Sequence, residues 1–217
     1  IPAARLGHEL SKALFQVAAS KTVQGTFDLY NPASCESISR HEGIWQVVLN
    51  HLQDEKKIIY PRLIIAADGT DSTVRRLLNI GLKIRPSSEV ALTTCINISR
   101  HHQHIAYQRC TPQGIIACLP LPSNKIGLVW TSEQQTIEAL QNLTEPEFLE
   151  NLQQQFSYRF GKLLRITKLQ IYPVKSCISE TQAQAGLMLL GNAAHTLLPI
   201  AAQGLNLGLQ DIGMNIK

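Results

Sequence analysis

A chain of 217 residues that is 44% hydrophobic and 17% charged can bury a real core, which excludes a disordered polypeptide. Its formal net charge of +4 is scattered through Lys56, Lys57, Arg75, Arg76, Arg100, Arg159 and Lys162, too diffuse for a nucleic-acid footprint and at most a loose attraction to anionic headgroups. The five cysteines, Cys35, Cys95, Cys110, Cys118 and Cys177, include no CxxC pair and fit reduced thiols in a cytosolic chain, and no run approaches the roughly eighteen apolar residues of a membrane span.

The chain starts without Met and runs straight into a helical pattern that places Leu6, Leu10, Leu14 and Val17 on one face. Lys21 to Tyr30 reads as a strand, and Ser34 to Arg40, Gly43 to Leu49 and Lys56 to Tyr60 read as a small meander with polar turns. Leu63 to Ala67 is a continuous apolar run, the pattern of a buried parallel strand, and it ends in Asp68-Gly69, where open α/β sheets place their ligands. Ser72 to Leu78 is a helical turn behind that loop. From about Arg85 to Lys175 the pattern turns β-rich, with strands near Val90 to Ser99, His104 to Arg109, Gly114 to Leu119 and Lys125 to Thr131. A helix over Glu145 to Phe156 follows, with Thr144 as its cap and Pro146 in its first turn, then a strand over Leu164 to Tyr172. Gly186 to Leu190 is a second buried strand, followed by a loop and a helix opened by Gly204-Leu205-Asn206 that has barely begun when the chain stops. The expected architecture is α/β with an α+β insert: one split domain over 1–84 and 181–217 around a β-rich domain over 85–180. Both ends predict an excised fragment.

Two loops carry the chemistry. Asp68-Gly69-Thr70-Asp71-Ser72-Thr73-Val74-Arg75 has the form DGxxSxVR, in which glycine permits a tight turn and a close backbone approach to a ligand. DG by itself is a common turn, with the plain alternative that Asp68 bonds its own backbone and Ser72 caps a helix. The second loop is more specific: Gly191-Asn192-Ala193-Ala194-His195, Pro199, Gln203-Gly204-Leu205-Asn206-Leu207-Gly208 and Asp211. Small residues stand where a bulky ligand would press, and the N–H groups and dipole of the helix opened at Gly204 favour anionic character nearby.

In order, these loops resemble the DG motif and the later GDAAHxxxPxxGQGxNxGxxD motif of the class A flavoprotein monooxygenases. Within that family they are most similar to the ubiquinone-biosynthesis hydroxylases, in the branch of 2-octaprenyl-6-methoxyphenol hydroxylases. The resemblance spans Leu6 to Asp211, strongly at the two motifs and weakly in the insert. It implies a partial Rossmann-like FAD-binding domain with an inserted β-rich substrate domain. It further implies FAD held by Asp68, Gly69, Arg75, Gly191, Asn192, Pro199, Gly204, Leu205 and Asn206, with Asn192 on the ribitol, Pro199 facing the isoalloxazine and the last three offering N–H groups to the pyrimidine. NAD(P)H is the implied reductant and O2 the co-substrate, and hydroxyl reaches a prenylated phenol through a flavin hydroperoxide. The insert would wall the substrate with Val129, Trp130 and the apolar strands. No residue is assigned as catalytic.

Two positions depart from the motif. Asn192 replaces the family's Asp but keeps an acceptor oxygen, and Ala202 replaces the first glycine of GQG. The family's N-terminal GxGxxG unit is missing, so the isolated chain is expected to bind FAD poorly and to be inactive. Expected partners are the substrate and O2, with other ubiquinone-biosynthesis proteins; no nucleic acid and no metal are expected. A cytoplasmic location with peripheral contact at the inner face of a membrane follows. A flavin-dependent reductase of prenyl chains and a non-catalytic scaffold of the quinone-synthesis complex are the alternatives. His101, His102 and His104 are expected in a solvated loop, since no Cys or carboxylate cluster joins them, and His195 in a structural or cofactor-shell role.

Overall fold

The computed structural model describes residues 3–19, 26–51, 55–198 and 203–215. In chain order it contains α1 (Ala3–Ala19), β1 (Ala33–His41), β2 (Ile44–His51), β3 (Lys56–Ile59), β4 (Ile64–Ala66), α2 (Thr73–Leu77), β5 (Leu82–Arg85) and β6 (Glu89–Ile98). Then come β7 (Tyr107–Thr111), β8 (Gly114–Leu121), β9 (Lys125–Glu133), α3 (Gln134–Gln141), α4 (Glu145–Phe156), β10 (Leu163–Ile166) and β11 (Gln170–Pro173). The last are β12 (Ser176–Ser179), β13 (Ala183–Gln184), β14 (Leu187–Leu189), a 3-10 turn (Gly191–Ala193), β15 (His195–Thr196) and α5 (Gly204–Asn215). These elements form two compact units, one of residues 28–87 and 175–217, the other of residues 1–27 and 88–174.

In the split unit β1, β2 and β3 form the expected antiparallel meander. The β1–β2 turn is Glu42-Gly43, with φ of 51° and 85°, the left-handed pair that lets a two-residue turn match the twist of its strands. Ile38, Trp45 and Val47 from this meander bury themselves against Leu187, with Ile59, Ile64 and Val74 around them. β14 runs antiparallel to β13 and parallel to β4, with Leu187 opposite Ile64 and Leu189 opposite Ala66. The two apolar runs therefore deliver their loops at the same end. Burial of β4 is less than its sequence predicts: Ala66 is buried, but Ile65, on the opposite face of the strand, is 55% exposed. A third sheet, β15-β12-β5, was not read from the sequence. The strand expected over 21–30 is absent from the described residues 26–30, and 21–25 lie outside them.

The second unit is a six-stranded antiparallel sheet in the order β10-β6-β9-β8-β7, with β11 also paired to β6. Alternate residues of β6 (Leu92, Ile96), β8 (Ile116) and β9 (Ile126, Leu128) point to one face and bury themselves under Ile137 of α3 and Phe148 and Leu152 of α4. α4 starts as expected at Thr144, whose backbone N–H donates to Glu147 Oε2 at 2.8 Å and whose hydroxyl donates to the same oxygen at 2.6 Å. The single strand expected over 164–172 is two, because Thr167 turns out of the ladder to bond Thr94 and Cys95.

Two further expectations are revised in this unit. Trp130 does not line a substrate wall: it is 1% exposed in the core, with its indole N–H donating to Gln113 O at 3.1 Å. His101 and His104 are exposed, but His102 is buried, its Nε2 within 2.8 Å of Leu121 O and its Nδ1 accepting from His104 N–H, so it pins a turn. α1 forms as expected, and Leu10 and Leu14 of its apolar stripe are exposed.

Candidate functional site at the ends of the parallel strands

Both motif loops leave the parallel pair β4/β14 side by side. Leu190 N–H donates to Ala66 O at 2.8 Å, extending the ladder one residue into the loops. The Asp68 loop then turns at Gly69, whose φ of 86° is costly for any residue with a Cβ, and whose missing side chain would meet no neighbour. Its side is open to a ligand.

Asp68 and Ser72 are both bound to the start of α2. Ser72 is the N-cap, its hydroxyl oxygen accepting from Arg75 N–H at 3.0 Å, and Asp68 Oδ2 accepts from Val74 N–H at 3.1 Å. Burial pushes the Asp68 carboxyl up, but hydrogen bonds from the Ser72 hydroxyl and from the N–H groups of Val74, Asp68 and Thr73 outweigh it and hold the group below its ordinary value. The turn chemistry offered as the plain alternative for DG is therefore present.

Arg75 is 6% exposed and its guanidinium spans the two motifs. Nη1 donates to Ala193 O at 2.8 Å and Nη2 to Thr70 O at 2.5 Å. A planar fork with several donors suits a strut between two carbonyls as well as it suits an anion. Thr70 and Thr196 add a hydroxyl–hydroxyl bond of 3.0 Å between the same loops. The sequence signalled neither threonine, because each bonds a residue 126 positions away.

In the second loop Gly191 has φ of 53° and opens the 3-10 turn. Ala193 and Ala194 are buried with Ala66 and Leu189, so their small size serves packing beneath the loop and not room for a ligand. Asn192, immediately before them, is exposed. α5 packs beside this turn at Gly208, where a methyl would stand in ordinary contact 3.5 Å from Gly191 Cα. The carboxylate of Asp211, one turn on, accepts from Gly191 N–H and His195 Nε2, each at 2.9 Å. This gives His195 the structural partner that the motif pattern leaves unnamed.

Gly204, Leu205 and Asn206 form the exposed first turn of α5. Leu207 N–H donates to Gln203 O at 3.0 Å, and the N–H groups of Gly204, Leu205 and Asn206 are those of a first helical turn, which has no acceptor inside the helix. Of the nine expected cofactor residues the structure brings Asp68, Gly69, Arg75, Gly191 and Asn192 into one strand-end cluster, to which α5 and its first turn are tied through Gly208 and Asp211. Pro199, and the variant position Ala202, lie outside the described residues. A group with anionic oxygens and a polar ring edge fits this arrangement: donors stand at a helix N-terminus, and a Cβ at Gly204 would meet none of the described residues within 4 Å.

Comparison with known proteins decides what kind of domain this is. The FAD binding domain family matches residues 8–215. This chain belongs to that family. Among its relatives, the 3-demethoxyubiquinol 3-hydroxylase of Escherichia coli (strain K12) is 28% identical over 209 residues, covering 95% of this chain and 52% of the relative. A ubiquinone hydroxylase of Rhodospirillum rubrum is 30% identical over 153 residues, covering 70% and 36%. The chain spans about half the length, or less, of the curated relatives it matches. Among solved structures, PqsL of Pseudomonas aeruginosa superposes with a TM-score of 0.69 at 23% identity, covering 94% of this chain and 56% of that one. The flavin-dependent halogenase CmlS gives 0.67 at 13% identity, with 93% and 37% covered. At such identities the likeness is one of fold, and one fold serves hydroxylases and a halogenase alike.

Proposed function

We propose that the protein carrying this chain binds FAD at the strand-end site and hydroxylates the ring of a prenylated phenol in ubiquinone biosynthesis, with NAD(P)H as reductant and O2 as oxygen source. The observation that carries this reading is the junction itself: two motif loops from one parallel pair, strapped together by Arg75, beside the open first turn of α5. The names of the relatives support the pathway. Bound there, FAD would carry electrons from NAD(P)H to O2 and supply the oxygen transfer that no side chain can perform.

The chain's own residues bind and orient. Asn192 is exposed on the loop and offers both acceptor and donors to a polyol. The N–H groups of Gly204, Leu205 and Asn206 would hold the polar edge of the ring system, where the helix dipole favours negative charge. Gly69 leaves the other loop low, and Asp68 keeps that loop ordered through α2. Arg75 acts at one remove, through the two carbonyls it holds. Trp130, 1% exposed in the core of its own unit, is not among the residues that would hold the phenol. The phenol's prenyl tail fits peripheral membrane contact and association with other proteins of the pathway. No helix among the described residues is long and apolar enough to cross a membrane.

The test is a visible spectrum of the protein expressed from its complete reading frame, followed by incubation with a prenylated phenol, NAD(P)H and air. A flavin spectrum and an oxygenated product are expected. A colourless protein that ignores added FAD would return the scaffold reading, and a saturated prenyl chain with an unchanged ring would return the reductase.

A further inference from the structure

One anchor in this site is not among the residues assigned to the cofactor. Asp211 lies seven residues beyond Gly204 on α5, and Gly204, Gly208 and Asp211, at i, i+4 and i+7, share one face of the helix. Among the described residues, this face meets the β14 loop at Gly208 and Asp211, toward its far end. Gly208 meets Gly191 backbone to backbone, and Asp211 Oδ2 receives both the Gly191 N–H and His195 Nε2. The two side chains are only 14% and 21% exposed, so water competes poorly for the pair. Among the described residues, none stands within 4 Å of where a Cβ on Gly204, at the near end, would lie.

At 1.5 Å per residue the first turn lies about 10 Å along the helix from Asp211. A helix is stiff over that length, so a slip at the anchor carries the first turn with it. Hydrogen bonds weaken steeply outside a narrow range of distance, and a misplacement of about 1 Å is enough to spoil them. We propose that Asp211 is the positioning residue of this site: by gripping Gly191 and His195 it sets where the N–H groups of Gly204, Leu205 and Asn206 point, and so how tightly the polar ring edge of the cofactor is held. The proposal rests on the FAD reading above.

The experiment measures FAD dissociation constants by flavin fluorescence in the full-length protein and in Asp211→Ala, Asp211→Asn and His195→Ala, with the unfolding midpoint of each apo protein recorded alongside. Asp211→Ala is expected to bind FAD about tenfold more weakly, the effect of losing charge-assisted hydrogen bonds. Asp211→Asn keeps an acceptor oxygen and is expected within about threefold of the parent, with His195→Ala between the two. A merely structural role would lower the unfolding midpoint and leave the affinity of the folded protein unchanged, which would overturn the proposal. Equal weakening by Asn and Ala would also overturn it, since charge and not the acceptor's position would then matter. Should Asp211→Ala fail to fold, His195→Ala decides, and parental affinity in that variant sinks the idea. A parent protein that takes up no FAD overturns the FAD reading itself, whereas tight binding by both parent and Asp211→Ala overturns the positioning role alone.

Discussion

Replacing Arg75 by methionine tests whether the two motif loops are held together from inside the protein. The methionine stem fills most of the same space, but the carbonyls of Ala193 and Thr70, now bonded at 2.8 Å and 2.5 Å, lose their donors. Each stranded carbonyl costs about 1–3 kcal/mol, and the charged fork makes the original bonds stronger than neutral ones. Against this stands the relief of no longer burying a guanidinium that is only 6% exposed, which offsets part of the loss. The net expectation is a destabilisation of about 3 kcal/mol, or roughly 6–12 °C in Tm for a chain of this size. Because the chain forms two compact units, unfolding should be followed by denaturant with Trp45 and Trp130 as separate reporters, one in each unit. The loss should appear in the Trp45 transition. Arg75→Lys should recover less than half of it, since a single ammonium cannot span both carbonyls as the fork does. A change below about 1 kcal/mol in Arg75→Met would refute the strut.

Three further outcomes are expected. The Asp68 carboxyl is held below its ordinary value of 3.8, so it contributes stability that is present above that pH and is lost as pH falls through the lower folded value; Asp68→Asn should flatten this acid limb, read by unfolding below pH 4. A methyl at Gly208 would make only an ordinary contact at 3.5 Å from Gly191 Cα, so Gly208→Ala should gain up to about 1 kcal/mol from helix propensity, whereas Gly114→Ala, at φ of 110° and against the Thr131 carbonyl, should lose several-fold more in the same denaturant titration. Burial pushes the Cys118 thiol up to about 12, so at neutral pH a thiol reagent should label the exposed Cys110 and leave Cys118 untouched until the protein unfolds, as peptide mapping would report.

Much of the local structure was legible because its signals are local. The meander over 33–59, the strands over 89–133 and the helix over 145–156 follow from alternation, turn residues and a cap read within a few positions. α3, with only Ile137 and Leu140 buried, and the two-residue strands β13 and β15 are too short to show a period. The break after Ile166 depends on Thr94, more than seventy residues away, and no window along the chain contains both. The hydrophobic stripe of α1 matched a helix, but burial is a property of what lies opposite, which periodicity does not state.

The same division holds at the site. By itself the sequence determined that two glycine-bearing loops follow apolar strands and that a helix opens at Gly204, since glycine, a strand's apolar run and helical spacing each act through neighbours in the chain. Only the tertiary structure decided what those residues do. It turned Arg75 inward onto two carbonyls, put Ala193 and Ala194 into the core, and made Asp211 the acceptor for Gly191 and His195. A buried donor must find its acceptor wherever the packed chain brings one, and the 118 positions that separate Arg75 from Ala193 carry no local trace of that meeting.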